Sequence, residues 1–233
     1  MTKNMDDNVY RLPSPEGICC FTTGAKADGL VSAGRILGDK HPILPVQTHS
    51  LNVAVVTNDR ETFQDTDALI TQIPGLPIGV RTADCVPIIL YAPDIKAVAV
   101  VHAGWKGTLG GIVSKTIDRM VDMGADVSML HAMFGVSICC KCYEVNPELA
   151  DKFITEGFVS NISYPGGSGS RPHLDLQGMN AKRMRDKGVL PENIVLNNLC
   201  TKTSCDESGA FLFNSWRRNP GTAARNLTIV SLV

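Results

Sequence analysis

Two apolar runs separated by a short polar break constrain this chain most. The first is "VRTADCVPIILYAP", Val80 to Pro93, and the second is "AVAVVHAGWKG", Ala97 to Gly107. Both are dense in Val and Ile without strict alternation, the pattern of strands covered on both faces. The connection "APDIK" between them is short, and such connections produce antiparallel neighbours. Cys85, at the start of the first strand, and His102, at the end of the second, are therefore predicted at the same edge of one sheet. Asp84 precedes the thiol, and small residues stand around both groups.

The rest of the chain reads as further strands with fewer helices. "GICCFTTG", "LNVAVVT" and "TDALIT" are strands, the segment 77–92 is strand, and "HAMFGVSI", "NIVLNNL" and "LTIVSLV" are three more. Residues 108–123 carry apolar positions at helical spacing, with Gly124 placed to stop the helix. "NPELADKFITEGF" is a second helix, capped by Asn146 with Pro147 in its first turn. "LDLQGMNAKRMRDKG" is a third, and "YPGGSGSRP" between the last two is a loop by composition. No fixed-period repeat and no linker divides the chain. The expected architecture is α/β (α+β), a mixed-sheet sandwich with helices packed on the sheets, forming one domain over 1–233 with residues 1–14 a candidate for disorder.

Charge and cysteine usage narrow the function classes. With 22 basic and 23 acidic side chains, no long-range field points to nucleic acid or to an acidic membrane. The N-terminal residues are polar and lack a secretory apolar core, and no run reaches membrane-span length. Eight cysteines are present, but pairs such as Cys19–Cys20 and Cys139–Cys140 are adjacent and bridge only with strain. A cytoplasmic protein with reduced thiols and a small-molecule partner is expected.

A third group joins Cys85 and His102. His49, in "LPVQTHSLNVAVV", stands just before another strand. Two imidazoles and a thiolate suit zinc and leave a fourth position open, and copper is compatible with the same donors. The residues alone also fit a plainer reading, in which Cys85 is a buried small apolar group and the histidines are hydrogen-bonded loop residues.

"QTHS", "TADCVPI" and "VHAGWKGT", in that order, resemble three segments of the YfiH/laccase-domain family, also called the multicopper polyphenol oxidoreductase or purine nucleoside phosphorylase family. "CYEVNPEL", "LDLQGMNAKRM", "NLCT" and "FNSWRRN", with Arg225, resemble its remaining blocks, so the likeness covers almost the whole chain. The resemblance implies the laccase-domain fold and assigns zinc to His49, Cys85 and His102. It also implies purine-nucleoside phosphorolysis, adenosine deamination in some members, and an older attribution of copper-dependent phenol oxidation. Three departures stand out. The arginine common after the first strand is absent from "FTTGAKADG", the segment before His49 is expected to be too short for the helix often found there, and the family's "GP" is Gly135–Val136.

Zinc has no redox chemistry, so phenol oxidation would require copper. Deamination suits a metal-activated water and a carboxylate proton shuttle, for which Asp84 beside Cys85 is the nearest by sequence; a loop-fixing aspartate is the alternative. Phosphorolysis calls for an anion site. The glycine-rich turn "HAGWKGTLGG" offers free amides, and Arg81, Lys106, Arg217 and Arg218 are candidate phosphate contacts. Trp105 is expected to pack the turn, or else to stack on a purine. Cys139, Cys140 and Cys142, with Cys200 and Cys205, invite a second metal site, but their spacing matches no zinc or iron–sulfur pattern, which leaves core thiols as the plainer reading. His41, His131 and His173 have no partner by sequence and are expected to be structural or exposed. Three outcomes follow: a zinc-dependent purine-nucleoside enzyme, a copper-dependent phenol oxidase, or a non-catalytic zinc-held scaffold. The family also suggests an editing hydrolase of cell-wall precursors, to which no residue here points.

Overall fold

In the computed structural model, the described residues are 2–4, 8–26, 29–38, 40–167 and 169–233. The strands are β1 (Thr2–Asn4), β2 (Val9–Arg11), β3 (Ile18–Thr23), β4 (Val53–Val56), β5 (Ala68–Thr71), β6 (Ile78–Thr82), β7 (Val86–Ala92), β8 (Ala97–Ala103), β9 (His131–Phe134), β10 (Ile162–Ser163), β11 (His173–Leu174), β12 (Ile194–Val195) and β13 (Asn226–Leu232). The helices are α1 (Gly29–Leu37), α2 (Trp105–Gly110), α3 (Ile112–Asp122), α4 (Pro147–Thr155) and α5 (Leu176–Asp186). Among the described residues these strands form a five-stranded sheet ordered β1-β2-β3-β13-β6, a six-stranded sheet ordered β12-β9-β7-β8-β5-β4, and a ribbon β10-β11. The first sheet is antiparallel throughout. The second is mixed, with parallel pairs at β4/β5 and β9/β12.

Burial on both faces explains why β7 and β8 lack polar alternation. Ile89, Tyr91, Val98 and Val100 face the other sheet and pack with Ile18, Ile78, Val80 and Val230. Their neighbours Ile88, Leu90, Ala99 and Val101 face the helices and meet Ile117, Met120, Met179 and Met184. Each such aliphatic side chain contributes about 1.5–3 kcal/mol by leaving water. On the outer face of the five-stranded sheet, Ala33 of α1 packs with Val9, Phe21 and Ile229. The layers run helix, sheet, sheet, helices: a mixed-sheet α/β sandwich, as the sequence predicts.

The β7–β8 hairpin forms as expected. Pro87 pairs with His102 across it, and the Lys96 amide donates to the Pro93 carbonyl in the turn. The Asn146 side chain caps α4 by accepting from the Leu149 amide at 3.0 Å, with Pro147 in its first turn.

Three expectations differ. The segment 77–92 is two strands in different sheets, broken at 83–85, where Asp84 has φ 97°; apolar density does not report which sheet a strand joins. The predicted helix 108–123 is α2 and α3, because Gly111, at φ 75°, caps one and opens the other. This left-handed backbone is one a glycine adopts without steric cost. A helix does fit before His49: α1 has nine residues, only about 14 Å of axis, and it uses Ala33, Ile36 and Leu37 to cover the sheet. Of the 1–14 segment, residues 1 and 5–7 lie outside the described residues; β1 and β2 pair, and Tyr10 and Leu12 are buried. Among the described residues no helix is long and apolar enough to cross a membrane.

Candidate metal centre

The site is assembled around a carboxylate. Asp67 is fully buried at the entrance to β5. Its Oδ1 accepts from the His49 amide at 3.1 Å and from His102 Nδ1 at 2.6 Å. Its Oδ2 accepts from the Thr48 amide at 3.2 Å, the Ser50 amide at 2.7 Å and the Ser50 hydroxyl at 2.9 Å. Three successive amides therefore converge on one side chain and hold the loop in place, with His49 at φ 62°. Because an ionised carboxylate only accepts, His102 carries a proton on Nδ1, and Nε2 is the atom that would meet a metal ion once its own proton is displaced. This is the usual second-sphere arrangement of a metal-binding histidine.

His102 at the end of β8 and Cys85 at the foot of β7 meet through the hairpin register, and the Asp67 loop brings His49 to them. Cys85 Sγ lies 3.8 Å from His49 Nε2, and one donor atom from each of the three residues lies within 4.8 Å of the others. The imidazoles stand edge to face with centroids 4.8 Å apart. His102 is buried, Cys85 half-buried and His49 exposed, so the cluster opens to solvent on one side.

Charge follows this geometry. Burial pushes the Cys85 thiol up, but hydrogen bonds and charge from His102 and His49 outweigh it and hold the thiol at about 6. Burial lowers His102, while its bonds to Asp67 and Cys85 raise it to about 9. Burial also raises Asp67, and the bonds from His102 and Ser50 bring it down to about 2. At neutral pH the metal-free cluster therefore holds a thiolate beside an imidazolium that is paired with the Asp67 carboxylate.

The donors fit a tetrahedral ion. Bond lengths of about 2.0–2.1 Å to nitrogen and 2.3 Å to sulfur place N and S about 3.6 Å apart, close to the separation here. Gly104 lines the same cradle: a Cβ there would stand 2.8 Å from His49 Cδ2 and 2.9 Å from Cys85 Sγ. The backbone thus approaches the donors as closely as a residue without a side chain permits.

The remaining candidates take different places. Asp84 is buried, and both oxygens are engaged: Oδ1 accepts from Thr201 Oγ1 and Oδ2 from the Arg217 amide, each at 2.6 Å. That geometry is the loop-fixing one. Arg217 reaches the Glu144 carbonyl and lies over the Tyr143 ring, 5.1 Å from its centroid. Arg218 is bonded to the carbonyls of Thr201, Lys202 and Phe213. Arg225 bonds to the nearby carbonyls of Thr222 and Ala224. Arg81 is exposed on β6, opposite in alternation to Ile78 and Val80, and its backbone exchanges two hydrogen bonds with the Gln47 side chain. Lys106 is exposed over the Trp105 ring, 5.7 Å from its centroid, and Trp105 packs on the core.

Sequence reasoning missed two residues. Asp67 sits in "TDALIT", where an ionisable group enters a buried strand, an available signal. Tyr143 lies close enough to Cys85 for the thiolate charge, after burial, to help raise its phenol to about 12.

A second cluster lies nearby. One sulfur from each of Cys139, Cys142 and Cys200 lies within 4.8 Å of the others. Burial and the neighbouring thiols push Cys139 up to about 12, whereas backbone donors outweigh burial and lower Cys200. Cys140 is half-buried and Cys205 exposed. Of the other histidines, His41 is exposed, His131 lies near the Tyr91 ring, and His173 Nδ1 is 3.0 Å from the Cys140 carbonyl.

Comparison with known proteins bears on the fold and on the family. Adenosine deaminase RL5, from an unknown prokaryotic organism, is 35% identical over 179 residues, which are 72% of this chain and 68% of that protein. A purine nucleoside phosphorylase of Deinococcus radiodurans is 34% identical over 180 residues, 77% of this chain and 66% of its own length. The chain thus matches about two thirds of these relatives. The crystal structure of YlmD from Geobacillus stearothermophilus superposes with a TM-score of 0.80 at 24% identity, covering 93% of this chain and 92% of that one. YfiH of Bacillus licheniformis gives 0.81 at 22% identity, with 93% of both chains covered. The profile of the multi-copper polyphenol oxidoreductase laccase family matches residues 30–233, and the chain belongs to that family.

Proposed function

We propose that this chain is a zinc-dependent purine-nucleoside enzyme, catalysing phosphorolysis and, as a second activity, adenosine deamination. The observation that carries this reading is the half-open His49–Cys85–His102 cluster, which is exposed on its His49 side. Structural zinc sites are normally closed by four protein donors, so a three-donor set favours a working site over a scaffold. The relatives named for purine nucleoside phosphorylase and adenosine deaminase support the same substrate class.

His49, Cys85 and His102 would hold the ion, which supplies Lewis acidity. Asp67 fixes the proton of His102 on Nδ1 and keeps the His49 loop in register. Of the two residues expected to take part in catalysis, the ligand Cys85 is assigned to the metal, and Asp84, the expected proton shuttle, to the loop, since both its oxygens already accept hydrogen bonds. Arg217 is the favoured phosphate contact of the four basic candidates, because its amide is tied to Asp84, the neighbour of Cys85. Lys106, exposed over Trp105, is the next. In phosphorolysis a phosphate oxygen bonds to ribose C1′ as the bond to the purine nitrogen breaks, and Arg217 and Lys106 would offset the phosphate charge.

Copper-dependent phenol oxidation is the second reading, favoured by the family description and by donors that also suit copper. Zinc-loaded protein incubated with adenosine, with and without phosphate, tests the first. Ribose 1-phosphate and adenine support phosphorolysis, and inosine supports deamination. Neither product from fully loaded protein would sink the reading, and oxygen uptake with a phenol only after copper loading would put the oxidase in its place.

A further inference from the structure

The nucleoside reading leaves the second thiol cluster unused. Its turn supplies Cys139 and Cys142, with the Cys142 amide donating to the Cys139 carbonyl at 2.9 Å. Cys200 comes from a separate loop, aligned by the bridge between Ser137 and Cys200 and by the Thr201 amide donating to the Ser137 carbonyl at 3.0 Å. The Cys139 amide points at Cys200 Sγ from 3.3 Å, the contact that favours a thiolate there. His173 Nδ1 pins the same turn through the Cys140 carbonyl.

The pair Cys139 and Cys142 is a C-x2-C half-motif, the usual half of a zinc site, masked in the sequence by Cys140 between them. Three thiolates around one ion with metal–sulfur bonds of about 2.3 Å stand about 3.8–4.0 Å apart. The sulfurs here lie within 4.8 Å, so a small contraction of the turn onto the loop closes the set. Soft thiolate sets select zinc(II) and copper(I) over hard cations.

We propose that Cys139, Cys142 and Cys200 form a second metal centre, a three-thiolate site for a thiophilic d10 ion. Binding replaces three S–H bonds by three metal–sulfur bonds and releases three protons to solvent, with no change of oxidation state. Two chain neighbours link this centre to the first. Cys142 precedes Tyr143, and Cys200 precedes Thr201, whose hydroxyl holds Asp84 next to Cys85. An ion that ties the turn to the loop therefore also fixes these two neighbours of the first centre.

The test is metal stoichiometry on the reduced full-length chain, and it does not depend on any nucleoside activity. Under anaerobic conditions the protein is titrated with zinc(II) and, separately, copper(I), each against a chromophoric chelator. Wild type is expected to take about two ions, Cys142→Ser or Cys200→Ser about one, and His49→Ala the complementary one. Loss of the second equivalent in the zinc arm or only in the copper arm identifies the ion. A single equivalent in both arms, removed by His49→Ala and kept by Cys142→Ser, overturns the proposal. Wild-type alkylation guards against a variant that fails to fold. With metal added, Cys139, Cys142 and Cys200 should become protected while exposed Cys205 still reacts; unchanged labelling of the three overturns the site.

Discussion

This molecule carries two clusters of soft donors, and they are held together in different ways. His49, Cys85 and His102 are fixed by a hairpin register and by a buried carboxylate that collects three amides, a hydroxyl and an imidazole. Cys139, Cys142 and Cys200 are carried by a short turn and a loop, joined by the backbone bridge at Ser137 and one amide-to-sulfur contact, with no carboxylate among the described residues to orient the sulfurs. In both, the donor atoms lie within 4.8 Å of one another. The difference teaches that proximity of donors and preorganisation of donors are separate properties. The first cluster is oriented before any ligand arrives, whereas the second depends on what joins its two segments.

Substitutions that strike one cluster and spare the other put this contrast at risk. The largest effect is expected from Gly104→Ala, whose Cβ would press on His49 and Cys85. A misplacement of this kind costs on the order of a hundredfold in turnover, and metal at the first centre should fall while thiol protection at Cys142 stays. Equal loss at both clusters would break the comparison.

Asp67→Asn comes next. It removes the carboxylate that orients His102 and should weaken metal at the first centre by about 10–100-fold, read by chelator competition. The same carboxylate predicts a pH profile for the metal-free protein. Asp67 titrates lower in the fold than in the unfolded chain, so its contribution is present above the ordinary carboxyl value of 3.8 and is lost as pH falls toward about 2. His102 titrates higher, so its contribution is full below 6.5 and is lost as pH rises through about 9. Cys85, held at about 6, gains over the range in which His102 loses, so the two offset each other on the alkaline side. Thermal stability should therefore stay level between pH 6.5 and 9 and fall on the acid side, first as Cys85 and then as Asp67 takes up its proton, by about 2–4 °C for each kcal/mol lost. A fall just as steep toward pH 2 in Asp67→Asn would count against this assignment.

The smallest effect belongs to Asn146→Ala. Removing the α4 cap should cost about 1 kcal/mol and loosen the chain just after the Cys139–Cys142 turn. Affinity at the thiol cluster should drop by less than about tenfold, with the first centre unmoved.

The hairpin and its two donors were legible because they are local: a short connection between two apolar strands fixes which ends meet. Apart from the family resemblance carried by "QTHS", His49 was legible only as a histidine before a strand, since its approach depends on Asp67 eighteen residues later. The break at Asp84 and the division at Gly111 escaped the periodicity, because apolar spacing continues across a change of sheet and across a left-handed glycine. The α1 helix escaped for a related reason, as its burial depends on Ile229 and Leu227 from the far end of the described chain. The thiol cluster was visible as composition but not as geometry. Cys200 joins it through a bridge to Ser137, and no spacing rule carries that.

The position of β13 has a consequence for how the molecule comes into being. It is the last described strand to leave the ribosome, yet it lies between β3 and β6 and pairs with both. Asn226 on it bonds to the Thr82 carbonyl and to the loop at Asn214, two residues from the Asp84 turn. Until that strand arrives, β3 and β6 expose unpaired edges, and loop closure over such sequence distances is slow. The nascent chain must therefore wait, with an open sheet, for synthesis to reach residue 226 before the neighbourhood of Cys85 can set.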